Sequence, residues 1–273
     1  MIRMNDRKTM FVTGAVRNTG LAIAKRFASE GWNVVITSRD EASASQCCDT
    51  LKAEFPDVEF LGLGMDPADV GQIRGAFARV AEKFGRLDAF ISNAAHLGVG
   101  LSVFNTTEED WNAVMNANAR GTFFCAQESA RLMTDGGAMV FLSSVHANQS
   151  IPGRICYTTS KAAIDGMMRG LAMELGCKGI RVNSIIAGAI RSERWDSLTP
   201  EEEAARRGRY PAGRESFPEE IAAAAYFLCG DESKTITGVE MPVDSGISIC
   251  LLPYNKNWLE NDPNNVKYWE KKK

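Results

Sequence analysis

Thr9-Met10-Phe11-Val12-Thr13-Gly14-Ala15-Val16-Arg17-Asn18-Thr19-Gly20 is the stretch from which the rest of the chain is read. Thr9 to Thr13 is a short apolar run that ends in a glycine loop, the pattern of a buried strand. Leu21 to Glu30 continues as a helix and stops at Gly31. Strand, loop and helix N-terminus together present free backbone N–H groups and the positive end of a helix dipole, which suits a phosphate. Gly14 and Gly20 alone are also compatible with an ordinary strand-to-helix turn, so the neighbouring segments must decide.

Outward from this unit the same alternation repeats. Strands are expected at Asn33–Thr37, Val58–Leu63, Ala89–Ala95, Ala138–Leu142, Arg181–Ile186 and Glu240–Val243. Helices are expected at Glu41–Phe55, 67–84, 154–175 and 218–229. Thr106 and Glu109 read as a capping box that opens one long helix to Met133. Thr199, Pro200 and Glu202 start a short polar helix to about Arg209. Strands alternating with helices imply an α/β fold, a doubly wound parallel sheet of about seven strands with helices on both faces. Residues 1–250 form one dinucleotide-binding catalytic domain in this reading. Within it 191–215 is a lid over a substrate, and 251–273 is a polar tail with interspersed aromatic residues.

Composition removes several classes. The 273 residues are 45% hydrophobic and 24% charged with net charge −3, so no broad basic surface for nucleic acid or anionic membrane is expected. Seven cysteines without a CxxC spacing, and two histidines, argue against a metal site. Most of the cysteines are expected to act as small core hydrophobes. No run approaches the roughly 20 apolar residues that span a bilayer. A cytoplasmic protein with a small-molecule partner is expected.

The end of the second strand carries Ser38-Arg39-Asp40. In a doubly wound sheet this point reaches the adenosine ribose of a dinucleotide. An acidic side chain there repels a 2′-phosphate, whereas Arg39, with Arg17 in the glycine loop, favours one through charge-assisted hydrogen bonds. NADP(H) is therefore expected over NAD(H), although Arg39 can also simply stack on adenine. Asp66 either accepts from the adenine amino group or caps a helix beginning at Pro67.

Tyr157 and Lys161 lie four apart on one helix and so share a face. A nearby ammonium favours the phenolate, which makes the pair a tuned proton donor and acceptor for carbonyl–alcohol chemistry. By themselves they are equally an exposed helical pair. Ser144 ends a strand 13 residues earlier and can point into the same crevice. Asn118 sits inside a helix, where its local role is a back-bond to helix carbonyls.

Taken in order, Thr13-Gly14…Gly20, Asp66, Asn93-Ala94, Asn118, Ser144, Tyr157/Lys161, Gly188 and the closing Pro242-Val243-Asp244-Ser245-Gly246 resemble the short-chain dehydrogenase/reductases, over about residues 8–249. The resemblance implies a Rossmann sheet and a hydride transfer between NADP(H) and a secondary alcohol or ketone. It implies Tyr157 as general acid/base, Lys161 on the nicotinamide ribose, Ser144 on the substrate oxygen and Asn118 holding a water of a proton relay. Gly14, Arg17, Asn18, Thr19, Gly20, Ser38, Arg39, Asp66, Asn93, Ala94, Tyr157, Lys161, Gly188, Ile190 and Ser192 would bind the cofactor. His96, His146, Asn148, Ile151, Ala189 and Trp195 would line the substrate pocket. A homo-oligomer, tetramer or dimer, is implied through the helices at about 107–133 and 154–176. The alternatives are a 3-oxoacyl-thioester (acyl-carrier-protein) reductase, with Arg191, Arg194, Arg206, Arg207 and Arg209 meeting an acidic carrier, and a non-catalytic dinucleotide-binding protein. Asn18, Thr19, Ala95 and Ala187 depart from the residues usual in the family; Asn tolerates the left-handed backbone that a glycine would otherwise supply.

Overall fold

Met10 and Val12 point to one side of the first strand and Phe11 to the other, and all three are fully buried. A strand buried on both faces belongs inside a helix-covered sheet, which is why its run is continuously apolar. The computed structural model describes residues 7–134 and 136–250, with the backbone alone of Arg194. The expected tail, 251–273, lies outside the described residues.

Seven strands form one parallel sheet: β1 Thr9–Val12, β2 Asn33–Ser38, β3 Phe60–Gly64, β4 Ala89–Ser92, β5 Gly137–Ser144, β6 Ile180–Ala187 and β7 Glu240–Val243. Their order is β3-β2-β1-β4-β5-β6-β7. The chain reverses direction across the sheet between β1 and β4, and a crevice opens at the C-terminal ends of such a pair. On one face α1 Asn18–Ser29, α2 Glu41–Glu54 and α8 Pro218–Cys229 pack on Met10, Val12, Ile36, Ile91 and Val140. On the other, α3 Val70–Phe84, α5 Gly121–Leu132 and α6 Ile155–Leu175 pack on Phe11, Phe90 and Phe141. Cys48, Cys125, Cys156 and Cys229 are buried, whereas Cys177 is exposed.

Several boundaries differ from the sequence expectation: β3 begins at Phe60, not Val58, and β4 ends at Ser92, not Ala95. The third helix begins at Val70, not Pro67, and its cap is Asp69, whose carboxylate accepts from Gly71 N and Gln72 N. Asp66 instead closes the tight turn before it by accepting from Ala68 N. The capping box of α4, Glu108–Met115, is Thr107 with Asp110, not Thr106 with Glu109. Thr106 Oγ1 is taken up by Ser102 O. The expected single helix to Met133 is two, α4 and α5, joined by a π turn over Asn116–Arg120. Such a turn inserts one extra residue into a helix. A short helix, α7 Pro200–Arg207, starts as expected on the Thr199/Glu202 box.

Candidate functional site

Thr13, immediately after β1, holds the crevice together. Its hydroxyl accepts from Asn93 N and Ala94 N, both at 2.9 Å, at the end of β4. Asn93 returns two bonds, from Nδ2 to Thr13 O and Gly14 O. Gly14 has φ +62, and a Cβ on it would sit 3.0 Å from Ala94 Cβ. A Cβ on Gly20 would sit 2.5 Å from Gly14 O, so only glycine lets α1 begin this close to the loop. Asn18 has φ 48, the left-handed conformation expected of it. Arg17 is the N-cap of α1 and its side chain caps nothing.

The first-turn N–H groups of this 12-residue helix therefore have no side-chain cap, as a phosphate site requires. Arg17 and Arg39 are both exposed, and neither guanidinium has a hydrogen-bond or ion-pair partner among the described residues. Thr19 is half-buried on the same turn. Ser38 is half-buried at the end of β2, its hydroxyl at 3.4 Å from Asp40 N. A glycine cradle, an uncapped helix start and two unpaired cations fit a phosphorylated dinucleotide.

The second part of the site lies where β5 meets α6. Tyr157 lies in the first turn of α6, with Ser144, the last residue of β5, beside its hydroxyl. Ser144 Oγ also accepts from His146 N at 3.2 Å. Lys161, one turn on, is buried; its Nζ donates to Leu142 O at 2.5 Å and lies 5.6 Å from the Tyr157 ring centroid. Burial pulls the Lys161 ammonium down to about 8, against the Asp165 carboxylate, which pulls it up. The expected lowering of the Tyr157 pKa by Lys161 is not what the geometry gives. Burial raises the phenol above its ordinary value, more than the Ser144 hydrogen bond and the Arg154 charge lower it.

Asn118, fully buried in the π turn, does not bond back to its own helix. Its Oδ1 accepts from His96 N at 2.7 Å, and its Nδ2 donates to His96 O and to Ser160 Oγ, each at 2.9 Å. It thereby ties the loop after β4 to α6 beside Tyr157. Among the substrate candidates, His146 stands edge-on to the Tyr157 ring at 6.0 Å between centroids. His96 and Asn148 are exposed on loops, and Ile151 is 54% exposed.

The segment after β6 leaves the strand whose last residue, Ala187, pairs with Ser144. Gly188 packs so closely that a Cβ would lie 2.8 Å from Asp244 Cα. Ala189 O accepts from Ser216 N, and Ile190 bridges to Ser216. Ser192 begins a short turn that carries Trp195, which is buried with the Arg206 guanidinium 4.1 Å from its ring centroid. Arg191 pairs with Glu203 at 2.5 Å and with the fully buried Glu215 at 2.9 Å; Arg207 pairs with the same two acids. A cavity of about 470 Å³ lies between α7 and residues 208–213, with Glu203, Arg207 and Tyr210 in its wall.

Sequence reading missed Thr13 as a clamp, Ser160 as a partner of Asn118, and Ser143 and Asp165 behind Lys161. Only Asp165 carried a signal, its position four residues after Lys161 on the same helix. Among the described residues no group of three His, Cys, Asp or Glu is placed to hold a metal, and no helix is long and apolar enough to cross a membrane.

Known proteins match this arrangement along nearly its whole length. The family model described as enoyl-(acyl carrier protein) reductase matches residues 14–248. A 3alpha-hydroxysteroid dehydrogenase of Mediterraneibacter gnavus is 30% identical over 246 residues, covering 89% of this chain and 98% of that protein. The 3-oxoacyl-[acyl-carrier-protein] reductase FabG of Thermotoga maritima is 32% identical over 251 residues, covering 89% and 99%. Among solved structures, a blue fluorescent protein from a metagenomic library in complex with NADPH has a TM-score of 0.81 at 29% identity, covering 88% of this chain and 97% of that one.

Proposed function

The chain belongs to the short-chain dehydrogenase/reductase family, and on that premise we propose that it is an NADP(H)-dependent oxidoreductase interconverting a secondary alcohol and a ketone, with Tyr157 moving the proton. The observation that carries the reading is the Tyr157 phenol set beside Ser144 and over the buried ammonium of Lys161, whose Nζ lies 5.6 Å from its ring centroid. The cofactor, when bound, supplies or accepts the hydride. Gly14, Arg17, Asn18, Thr19 and Gly20 would hold its pyrophosphate end. Ser38, Arg39 and Asp66 would meet its adenosine. Asn93, Ala94, Gly188, Ile190, Ser192 and Lys161 would meet its nicotinamide end.

A phenol kept protonated by burial is an acid at neutral pH, which suits proton delivery to a carbonyl oxygen. Ser144 spends one lone pair on His146 N, and its one O–H, beside the phenol, can turn to an oxygen that gains negative charge. Arg154 is the charge that favours the phenolate left behind, and Lys161, still largely cationic at neutral pH, stands one turn on with its Nζ 5.6 Å from the ring centroid. Asn118 fixes the loop carrying His96 at the opposite wall and would hold the relay water.

The substrate side is apolar at its rim. Val99, Val103, Phe104 and Ile151 are exposed on two loops joined by the Leu101–Arg154 bridge, and Ile155 is exposed at the start of α6. This supports an alcohol or ketone on an apolar carbon framework, as in the hydroxysteroid relative. The acyl-carrier reading draws support from the FabG relative. It loses part of its basic surface, because Arg191 and Arg207 are already paired with Glu203 and Glu215. Exposed Trp111, Phe123 and Met173 on α4, α5 and α6 support a homo-oligomer, which sedimentation of the purified protein would detect.

The test is NADPH oxidation by the purified chain against a panel of apolar ketones and acyl thioesters, with Tyr157→Phe alongside. Turnover with a ketone, lost by about 10²-fold or more in Tyr157→Phe while NADPH still binds, is the expected result. Near-normal turnover in that variant overturns the assignment of Tyr157. NADPH binding without turnover of any ketone or thioester favours the non-catalytic dinucleotide-binding reading.

A further inference from the structure

Behind Lys161, on the side away from the crevice, one acid is buried that the proton chemistry above does not use. Asp165 is 4% exposed and lies one turn after Lys161 on α6. Its Oδ2 accepts from Ser143 Oγ at 2.9 Å, and the same hydroxyl lies 3.5 Å from Lys161 O. Ser143 is the residue before Ser144 on β5, so a buried carboxylate reaches the strand end that supports the Tyr157 hydroxyl. Ser184 of β6 lies beside the carboxylate, yet Asp165 Oδ1 and Ser184 Oγ have no hydrogen-bond partner among the described residues. Burying a carboxylate with one oxygen unbonded is costly unless an opposite charge lies near it.

We propose that Asp165 is a positioning residue for the Tyr157 site: through Ser143 it fixes the end of β5 that carries Ser144, and, buried one helical turn from Lys161, it is the counter-charge of that ammonium. The proposal rests on the role given above to Lys161. The charged and titratable groups around the pair are few. On α6 they are Tyr157 and Arg169, with Arg154 just before the helix; on β7 there is Glu240, which Arg169 neutralises in an ion pair. From β5 and the π turn the nearby side chains are neutral: Ser143 donates to Asp165, Ser144 accepts from His146 N and Asn118 donates to Ser160, while Arg120, the charge of the π turn, is turned to Ala68 O and the Phe124 ring. Among the described residues, Asp165 is the acid that acts on Lys161. Buried in a low-dielectric site, an ammonium with that partner removed loses its proton more readily. The two groups are coupled, so each senses the titration of the other.

The experiment follows the ¹³Cε resonance of Lys161 against pH in the full chain, assigned by its loss in Lys161→Arg, with and without NADPH. Expected is a midpoint near about 8 in the parent chain and a lower one in Asp165→Asn, with Asp165→Glu restoring it. An unchanged midpoint in Asp165→Asn overturns the proposal. If that variant does not fold, the parent chain decides. The Lys161 resonance must also respond in the acid range as Asp165 protonates, and a single-step titration overturns the proposal. The NADPH dissociation constant against pH separates the two layers. A moved Lys161 midpoint with an unmoved pH dependence of NADPH affinity supports the hold of Asp165 on Lys161 and sinks the assignment of Lys161 to the cofactor ribose.

Discussion

Thr13 Oγ1 accepts from Asn93 N and Ala94 N at 2.9 Å, so one hydroxyl satisfies two successive backbone donors across the crevice between β1 and β4. Thr13→Val keeps the shape and removes the acceptor. Each donor left unsatisfied in a buried setting costs about 1–3 kcal/mol. The expected outcome is a Tm lower by several degrees in a domain of this size. NADPH affinity falls with it, because the glycine loop is no longer tied to β4. Scanning calorimetry together with a fluorescence titration checks both, and an unchanged Tm would remove the clamp.

Asn18 carries φ 48 at the start of α1. Asn18→Gly relieves the residual strain of that conformation. Asn18→Ala, with no side chain suited to it, costs about 1–2 kcal/mol. Chemical denaturation of the two variants should place them on opposite sides of the parent chain. Both falling on the same side would show that side-chain contacts of Asn18, not its backbone, decide.

Arg39 is exposed and without an ion-pair partner among the described residues. If it meets a 2′-phosphate, Arg39→Ala weakens NADPH about tenfold or more, the size of one charge-assisted pair. NADH, which lacks that group, should change little. Parallel titrations with the two nucleotides separate the cases, and an equal loss for both would assign Arg39 to stacking on adenine.

Lys161 provides a pH test that needs no substrate. Its pKa falls from the ordinary 10.5 to about 8 on burial, so the folded chain binds fewer protons than the unfolded one between these values. Stability therefore rises with pH through that window, and the full penalty is present below about 8. At about 1.4 kcal/mol per pH unit the penalty is about 3 kcal/mol. Relative to Lys161→Met, which has no such group, the parent chain should gain about that much between pH 8 and 10.5. Urea melts at several pH values measure the difference, and parallel curves would show that Lys161 is not desolvated.

Much of this was legible because the signals are local. The glycine loop, the alternating strand at Met10–Val12 and the tolerance of Asn18 for a left-handed backbone all depend on a few adjacent residues. Where two neighbours carry the same chemistry, the sequence is degenerate. Thr106 and Thr107 each have an acid three residues on, and Asp66 and Asp69 can each cap a helix. The choice falls to tertiary contacts such as Thr106 with Ser102. The protonation of Tyr157 was misjudged for a related reason. Helical spacing gives the nearness of Lys161 but not the burial of the phenol, and burial is the larger effect. The π turn left no mark in the apolar pattern, since α4 and α5 each bury a face of their own.

That turn has a consequence for how the gene can change. With one residue more than a regular helix holds, Asn116–Arg120 is a phase shifter between α4 and α5. Losing any one residue there would leave an unbroken α-helix that folds as well locally, yet one of the two helices would be rotated by about 100°. Either the buried face of α5 or the inward aim of Asn118 would be lost. The segment therefore tolerates substitution far better than deletion, and its length, more than its composition, is what a lineage keeping this site must preserve.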